Sequence, residues 1–255
     1  MAKRNNWTKE ETIIAFNVYC KVPFKSSSKS HPTIIKYANI IGRSPSALNM
    51  KVGNFGRLDP ELRKRGITGL IHGSKLEEEV WEEFNGNWDK LAYESELLIA
   101  KLEGKGIQEP KEMDLKLFPQ GTDRETIVKT RINQSFFRSA ILSSYNTKCC
   151  ITGLAIPELL IASHIIPWST DQSNRTNPHN GLCLNSIHDR AFDRGLITVS
   201  PDYKILISDY VGSYSQDNTV ESLFKRYHNQ LIILPDRFLP SKEFLEYHNQ
   251  VIFRK

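Results

Sequence analysis

The sequence predicts an α+β chain in two parts: a helical amino-terminal domain over residues 1–104 and a mixed carboxy-terminal domain over residues 122–255, joined by a linker over 105–121. Three observations carry this prediction. Up to Leu102, apolar residues recur at helical spacing between side-chain caps. A stretch rich in breakers and poor in periodicity follows, from Gly104-Lys-Gly-Ile-Gln-Glu-Pro110 to Gly121. Beyond it, a β-branched apolar run, a polar tract, a second short apolar run and a capped helix set out the order strand, loop, strand, helix.

In the first part, Thr8 is placed to cap a helix with Glu11 three residues on, and Ile13, Ile14, Phe16 and Val18 form its inward side. Pro32 to Ile41 is a second helix, stopped at Gly42. A third starts with Ser44 as cap and Pro45 in the first turn, its core side made by Ala47, Leu48 and Met50 and its exposed side by Ser46, Asn49 and Lys51. Helix, Gly-containing turn and capped helix form a helix-turn-helix-like pattern that is similar to the trihelical Myb-like modules. An acidic helical region runs from Ser74 to Leu102, with Trp81, Phe84 and Trp88 as core.

Charge is segregated along the chain. Residues 1–75 hold 14 Lys/Arg against 4 Asp/Glu, residues 76–125 hold 6 against 14, and the whole chain is at +5. The basic end is the candidate for nucleic acid, with Arg43, Asn49, Lys51 and Arg57 as the side chains expected near DNA. Charge alone is equally compatible with a solvated basic face. No apolar run approaches the ~18 residues of a membrane span, and the start Met-Ala-Lys-Arg-Asn-Asn-Trp lacks the apolar segment of a secretion signal. Four cysteines, two of them adjacent, make no disulfide framework and suit a reducing cytoplasm.

In the second part a long amphipathic helix starts near Thr122 and leads to Cys149-Cys150. Glu158 to Ile166 is a buried strand with His164 at its end, and Pro167 with Ser169 to His179 turns it into a loop. Asn180-Gly181 precedes the strand Leu182-Cys-Leu184. Asn185 or Ser186 then caps a helix through Asp193 that closes at Arg194-Gly195, with Ile187 and Phe192 available to anchor it. Leu196 to Ser208 reads as a β-hairpin, and Glu243 to His248 as a closing helix. Asp189 and Asp193 lie four residues apart and share one helix face, where two hard oxygen donors suit Mg²⁺ or Mn²⁺. A strand-end imidazole facing such a helix supplies what phosphodiester hydrolysis requires.

The strings ASHIIPW, NPHNGLCL and HDRAFDRGLITV, with RINQSFFRSAIL leading into CCITG, resemble the HNH nucleases of the ββα-metal fold over roughly half the chain. The resemblance implies His164 as general base and Asn180 as the residue that stabilises the loop. It implies Asp189 and Asp193, nine and thirteen residues after that asparagine, as metal ligands. Three departures stand out. Ser163 occupies the position before the base where the family often has a ligand. The third motif letter is Asp189, with His188 one place early, so His188 is retained as a ligand or phosphate donor. The family's CxxC pairs are missing, so no structural zinc is expected.

The resulting expectation is a metal-dependent DNA endonuclease, Mg²⁺ being the favoured ion. Arg175, Arg190 and Arg194 would meet the backbone of double-stranded DNA, and the stand-alone bacterial subfamily that the chain resembles implies restriction or phage defence. The alternative is a DNA-binding regulator whose HNH domain is silent. Monomer and homodimer are both open.

Overall fold

The computed structural model describes residues 6–66, 73–106, 124–214 and 218–255. Its contacts divide the chain into two units, Met1–Ala140 and Ile141–Lys255.

In the first unit Thr8 and Glu11 cap each other's backbone donors, at 3.2 and 2.9 Å, and start α1 (Lys9–Lys21). This helix is buried on nearly every side from Thr12 to Cys20, a wider burial than the one-sided face read from its sequence. The cause is its position: α2 (Pro32–Ile40), α3 (Pro45–Phe55), α5 (Lys75–Phe84) and α6 (Trp88–Glu103) all pack on it, with the short α4 (Pro60–Lys64) after α3. Phe16 is the centre of this core, its ring 4.9 Å from Phe55, 5.1 Å from Trp81 and 6.4 Å from Trp88. The turn between α2 and α3 uses Gly42 at φ +68°, and Ser44 caps α3 through Ala47 N–H at 3.2 Å. The segment read as a linker lies for the most part, from residue 107 on, outside the described residues. α7 (Arg124–Ser144) follows, and Trp88 stacks on its Phe136 at 6.4 Å. The division between units therefore falls inside α7 and not at residue 122.

The phase of α3 corrects the sequence reading. Met50 is 61% exposed and Lys51 only 6%, so the inward stripe is Leu48, Lys51, Val52 and Phe55 at positions i, i+3, i+4 and i+7. A lysine is tolerated in that stripe because Glu77 of α5 meets its ammonium at 2.6 Å.

The second unit is built on two hairpins. β1 (Leu160–His164) pairs antiparallel with β2 (Gly181–Asn185), so that His164 lies opposite Gly181, and α8 (Ser186–Asp193) packs back on both strands. β3 (Ile197–Val199) pairs with β4 (Ile205–Ile207) within the segment read as a hairpin. The short helices α9 (Asp209–Gly212) and α10 (Asn218–Leu223) follow, and α11 (Lys242–Tyr247) continues into a wider turn over His248–Ile252. Gly195 fixes the junction after α8. Its φ is +67°, and a Cβ there would meet the Ile252 carbonyl oxygen at 2.0 Å, so this close approach of the carboxy-terminal segment requires glycine.

His248 holds the same junction from inside. Its ring stacks on Phe192 at 3.7 Å, and its Nδ1 lies 2.8 Å from the Thr198 hydroxyl. Burial pushes its pKa down to about 4, against the Phe192 carbonyl, which favours the charged form. A depressed folded-state pKa means that the contribution is fully present above the unfolded value near 6.5 and is lost as pH falls towards 4. The stability difference between wild type and His248→Gln is expected to shrink by about 3 kcal/mol between pH 7 and pH 4 in denaturant titrations. A difference that stays constant over that range would show that His248 does not titrate in this way.

Candidate active site

The loop between β1 and β2 is held by one buried amide. Asn180 accepts from Ile166 N–H through Oδ1 at 2.8 Å, and its Nδ2 donates to the carbonyls of Ile166 and Asn174, both at 3.2 Å. It thus ties the strand end to the far side of the loop, with both amide hydrogens and the amide oxygen engaged. Asn174 continues the tie, its Nδ2 donating to Asp171 Oδ2 at 2.6 Å and its Oδ1 accepting from Asn177 at 2.8 Å.

That loop orients His164. Nε2 lies 2.9 Å from the carbonyl oxygen of Arg175, which can only accept, so Nε2 carries the proton and Nδ1 the basic lone pair. The Trp168 ring stands edge-on to the imidazole at 5.5 Å, and the Arg175 guanidinium packs over that indole at 4.9 Å while Nε donates to the Trp168 carbonyl at 2.8 Å. Burial lowers the His164 pKa to about 4; the Arg175 charge also lowers it, and the carbonyl contact acts in the opposite sense. At neutral pH the ring is therefore unprotonated, the form a general base needs.

Facing β1, α8 starts at Asn185, whose side chain accepts from Ile187 N–H at 3.1 Å and His188 N–H at 2.9 Å. The pKa of Asp189 is raised by burial and by the charge of Asp193, with the Ser163 hydroxyl and Arg190 acting against the rise. Desolvation also raises Asp193, opposed by Arg190 and Arg194. Ser163, the residue before His164, thus faces the first of two mutually repelling carboxylates.

Residues 149–200 match the family model described as HNH endonuclease. This segment is an HNH domain. No curated protein matches the chain. The match spans β1, the loop, β2, α8 and β3, the same elements that hold His164, Asn180, Asp189 and Asp193.

HNH endonucleases generally use divalent metal ions. Two carboxylates one turn apart, both raised in pKa by burial and Asp189 also by the charge of Asp193, are hard oxygen donors that a hard cation stabilises. Beside them the buried Ser163 hydroxyl has no hydrogen bond of good geometry. The set fits an ion such as Mg²⁺, which uses one or two carboxylates and keeps water for the rest. Among the described residues no group of three or more His, Cys, Asp and Glu side chains gathers at metal-binding distance.

Several expected site residues of the HNH domain are placed differently. His188 is turned inward, its Nε2 2.7 Å from the Leu223 carbonyl and its Nδ1 3.1 Å from the Asn185 amide, between the edges of Phe224 and Tyr227. Burial pushes the Cys149 thiol up, but hydrogen bonds from His188 and Thr152 outweigh it and bring Cys149 to about 7. His188 is therefore a core partner of Cys149, on the side of α8 away from the carboxylates, as the 100° step between neighbouring helix positions requires. Ile187, expected to anchor the helix, is 50% exposed, and Phe192 is buried with Ala191 and His188. Arg175 folds back on Trp168 instead of projecting outward. Arg190 and Arg194 are exposed as expected.

In the amino-terminal unit the four side chains assigned to DNA are engaged locally. Arg43 donates twice to Glu11, at 3.0 and 2.8 Å, and once to the Asn6 carbonyl at 2.8 Å, over the ring of Trp7. Lys51 pairs with Glu77, Arg57 with Glu78 at 2.9 Å and Glu77 at 3.4 Å, and Asn49 accepts from Ser27 at 2.6 Å. The charge segregation along the chain is undone in space, because part of the acidic segment folds onto the basic one. Trp168 and Cys149 were missed in the sequence; for Trp168 the signal was its place in ASHIIPW, within a few residues of the base.

Proposed function

We propose that the chain is a metal-dependent DNA endonuclease whose HNH domain hydrolyses phosphodiester bonds. The observation that carries this reading is the neutral, loop-clamped His164 at the end of β1, one residue from the serine that faces the Asp189–Asp193 face of α8. His164 Nδ1 takes the proton of the attacking water as the oxygen approaches phosphorus. Asn180 and the Arg175 carbonyl hold the ring still, which keeps that lone pair on one line. Asp189 and Asp193 would hold a divalent ion, Mg²⁺ first among candidates, which supplies charge stabilisation at the phosphate when bound. Arg190 and Arg194, on the neighbouring face of α8, meet the backbone of the duplex. Among the described residues no helix is long and apolar enough to cross a membrane. The resemblance of the site to stand-alone bacterial enzymes supports a role in restriction or phage defence.

A second reading, a DNA-binding protein with a silent HNH domain, is favoured by one observation: Ser163 and not a carboxylate or imidazole precedes the base. Incubating the chain with modified and unmodified plasmids across several divalent ions separates the two. Metal-dependent nicks or breaks support hydrolysis; intact plasmid with every ion, alongside retained DNA binding, supports the silent reading. Asp189→Asn is expected to lower cleavage at least tenfold and to raise the Mg²⁺ concentration needed for half-maximal rate, with Mn²⁺ restoring part of it. An unchanged metal titration for both Asp189→Asn and Asp193→Asn would remove these carboxylates from the ion.

A further inference from the structure

α8 carries a second stripe beside its carboxylates. Ile187, Arg190, Ala191 and Arg194 stand at positions i, i+3, i+4 and i+7 and line one side of a cavity of about 440 Å³, Ala191 as its buried floor and the other three exposed. Leu196, Phe224 and Ser186 complete the lining, and the cavity lies open to solvent. Apart from its two arginines and Ser186 the lining is apolar, with one aromatic residue. The volume lies within the roughly 300–1,000 Å³ of small-ligand pockets. Among the described residues neither the Arg190 nor the Arg194 guanidinium makes a hydrogen bond or an ion pair; Asp189 and Asp193, on the neighbouring stripe, are the carboxylates whose charges they feel. Two uncommitted guanidinium groups beside an apolar slot fit an anion attached to a planar, weakly polar body.

We propose that this cavity is a nucleobase pocket: it takes one base lifted from the stack of the substrate strand, with Phe224 and Ile187 against the base and Arg190 and Arg194 on its phosphates. The inference rests on the nuclease reading for its choice of a DNA strand over a free nucleotide, because the carboxylate face lies only one helix position, about 100°, around from the arginine stripe. A strand held at Asp189 and Asp193 brings its neighbouring nucleotide to that stripe. Base–aromatic stacking of this kind tolerates any base, so the pocket adds affinity for unpaired or distorted strands and little sequence preference.

The test uses the full chain carrying His164→Ala, so that the probe stays whole, and compares a labelled deoxythymidine oligonucleotide with a fully abasic strand of the same length by fluorescence anisotropy. The base-bearing strand is expected to bind about tenfold tighter. Phe224→Ala is expected to abolish that preference while leaving affinity for the abasic strand unchanged. Because Phe224 also touches His188, Ile187→Glu serves as a second variant at a half-exposed position; it is expected to weaken both strands and to abolish the preference as well. No preference in the parent chain, or a preference that survives both substitutions, overturns the pocket. Plasmid cleavage by wild-type protein is read separately, so loss of the nuclease reading and loss of the pocket give different results.

Discussion

His164→Ala is expected to lower metal-dependent plasmid cleavage by about 10²–10⁴-fold, the range a general base supplies, while leaving DNA affinity within a few-fold of wild type. The expectation follows from what the ring does in the fold. Nε2 is committed to the Arg175 carbonyl, which fixes the tautomer and makes Nδ1 the basic nitrogen of the ring. A pKa near 4 keeps that nitrogen unprotonated across the neutral range, and the acid limb of the rate should lie well below the 6.5 of an ordinary histidine. Cleavage within threefold of wild type would take His164 out of the mechanism. An acid limb near 6.5 would instead show that its burial is relieved when DNA binds. Asn180 offers the matching control: its substitution frees the loop without touching the proton acceptor, so rate should fall with the acid limb unmoved.

Glu77→Ala should destabilise the amino-terminal unit by about 3–5 kcal/mol, the effect of leaving a buried charge unpaired. Glu77 is fully buried and accepts from Lys51 at 2.6 Å, Asn54 at 3.0 Å and the Ser74 N–H at 3.1 Å. Burial raises its pKa, but these partners outweigh that and hold it below the ordinary carboxylate range. Removing it strands Lys51, which has Trp7 as its other close neighbour, the ammonium standing 4.9 Å over the ring. Replacing both partners with apolar residues, Lys51→Met with Glu77→Leu, should recover most of the loss, since no charge is then left without a partner. Equilibrium denaturation of the single and double variants checks this. If Lys51→Ala leaves stability unchanged and weakens DNA binding, Lys51 is a phosphate contact and not a partner of Glu77.

What the sequence determined by itself is local. Thr8 with Glu11, Ser44 with Pro45, and Asn185 announce helix starts because a cap needs only a side chain and the backbone donors two or three residues away. The strand, loop, strand, helix order was legible for the same reason, and so was the shared face of Asp189 and Asp193, which helical repeat alone dictates. Phe192 and Ile187 both read as anchors, yet only Phe192 is buried, because periodicity marks a stripe as apolar without saying whether core or cavity lies opposite it.

Only the tertiary structure decided where the charges go. Lys51 looks like an exposed reader in the chain and becomes a core lysine because Glu77, twenty-six residues on, arrives across from it. His188 and Asp189 are neighbours in sequence, and which of them faces Ser163 depends on the phase at which α8 packs against β1. The carbonyl of Leu223, thirty-five residues away, takes the imidazole and leaves the carboxylate at the site. Arg175 meets Trp168 rather than solvent because Asn180 pins the loop that carries both sides of that contact. Charge and hydrogen-bond partners are chosen by proximity in space, and a one-dimensional pattern holds no information on which distant segment will supply them.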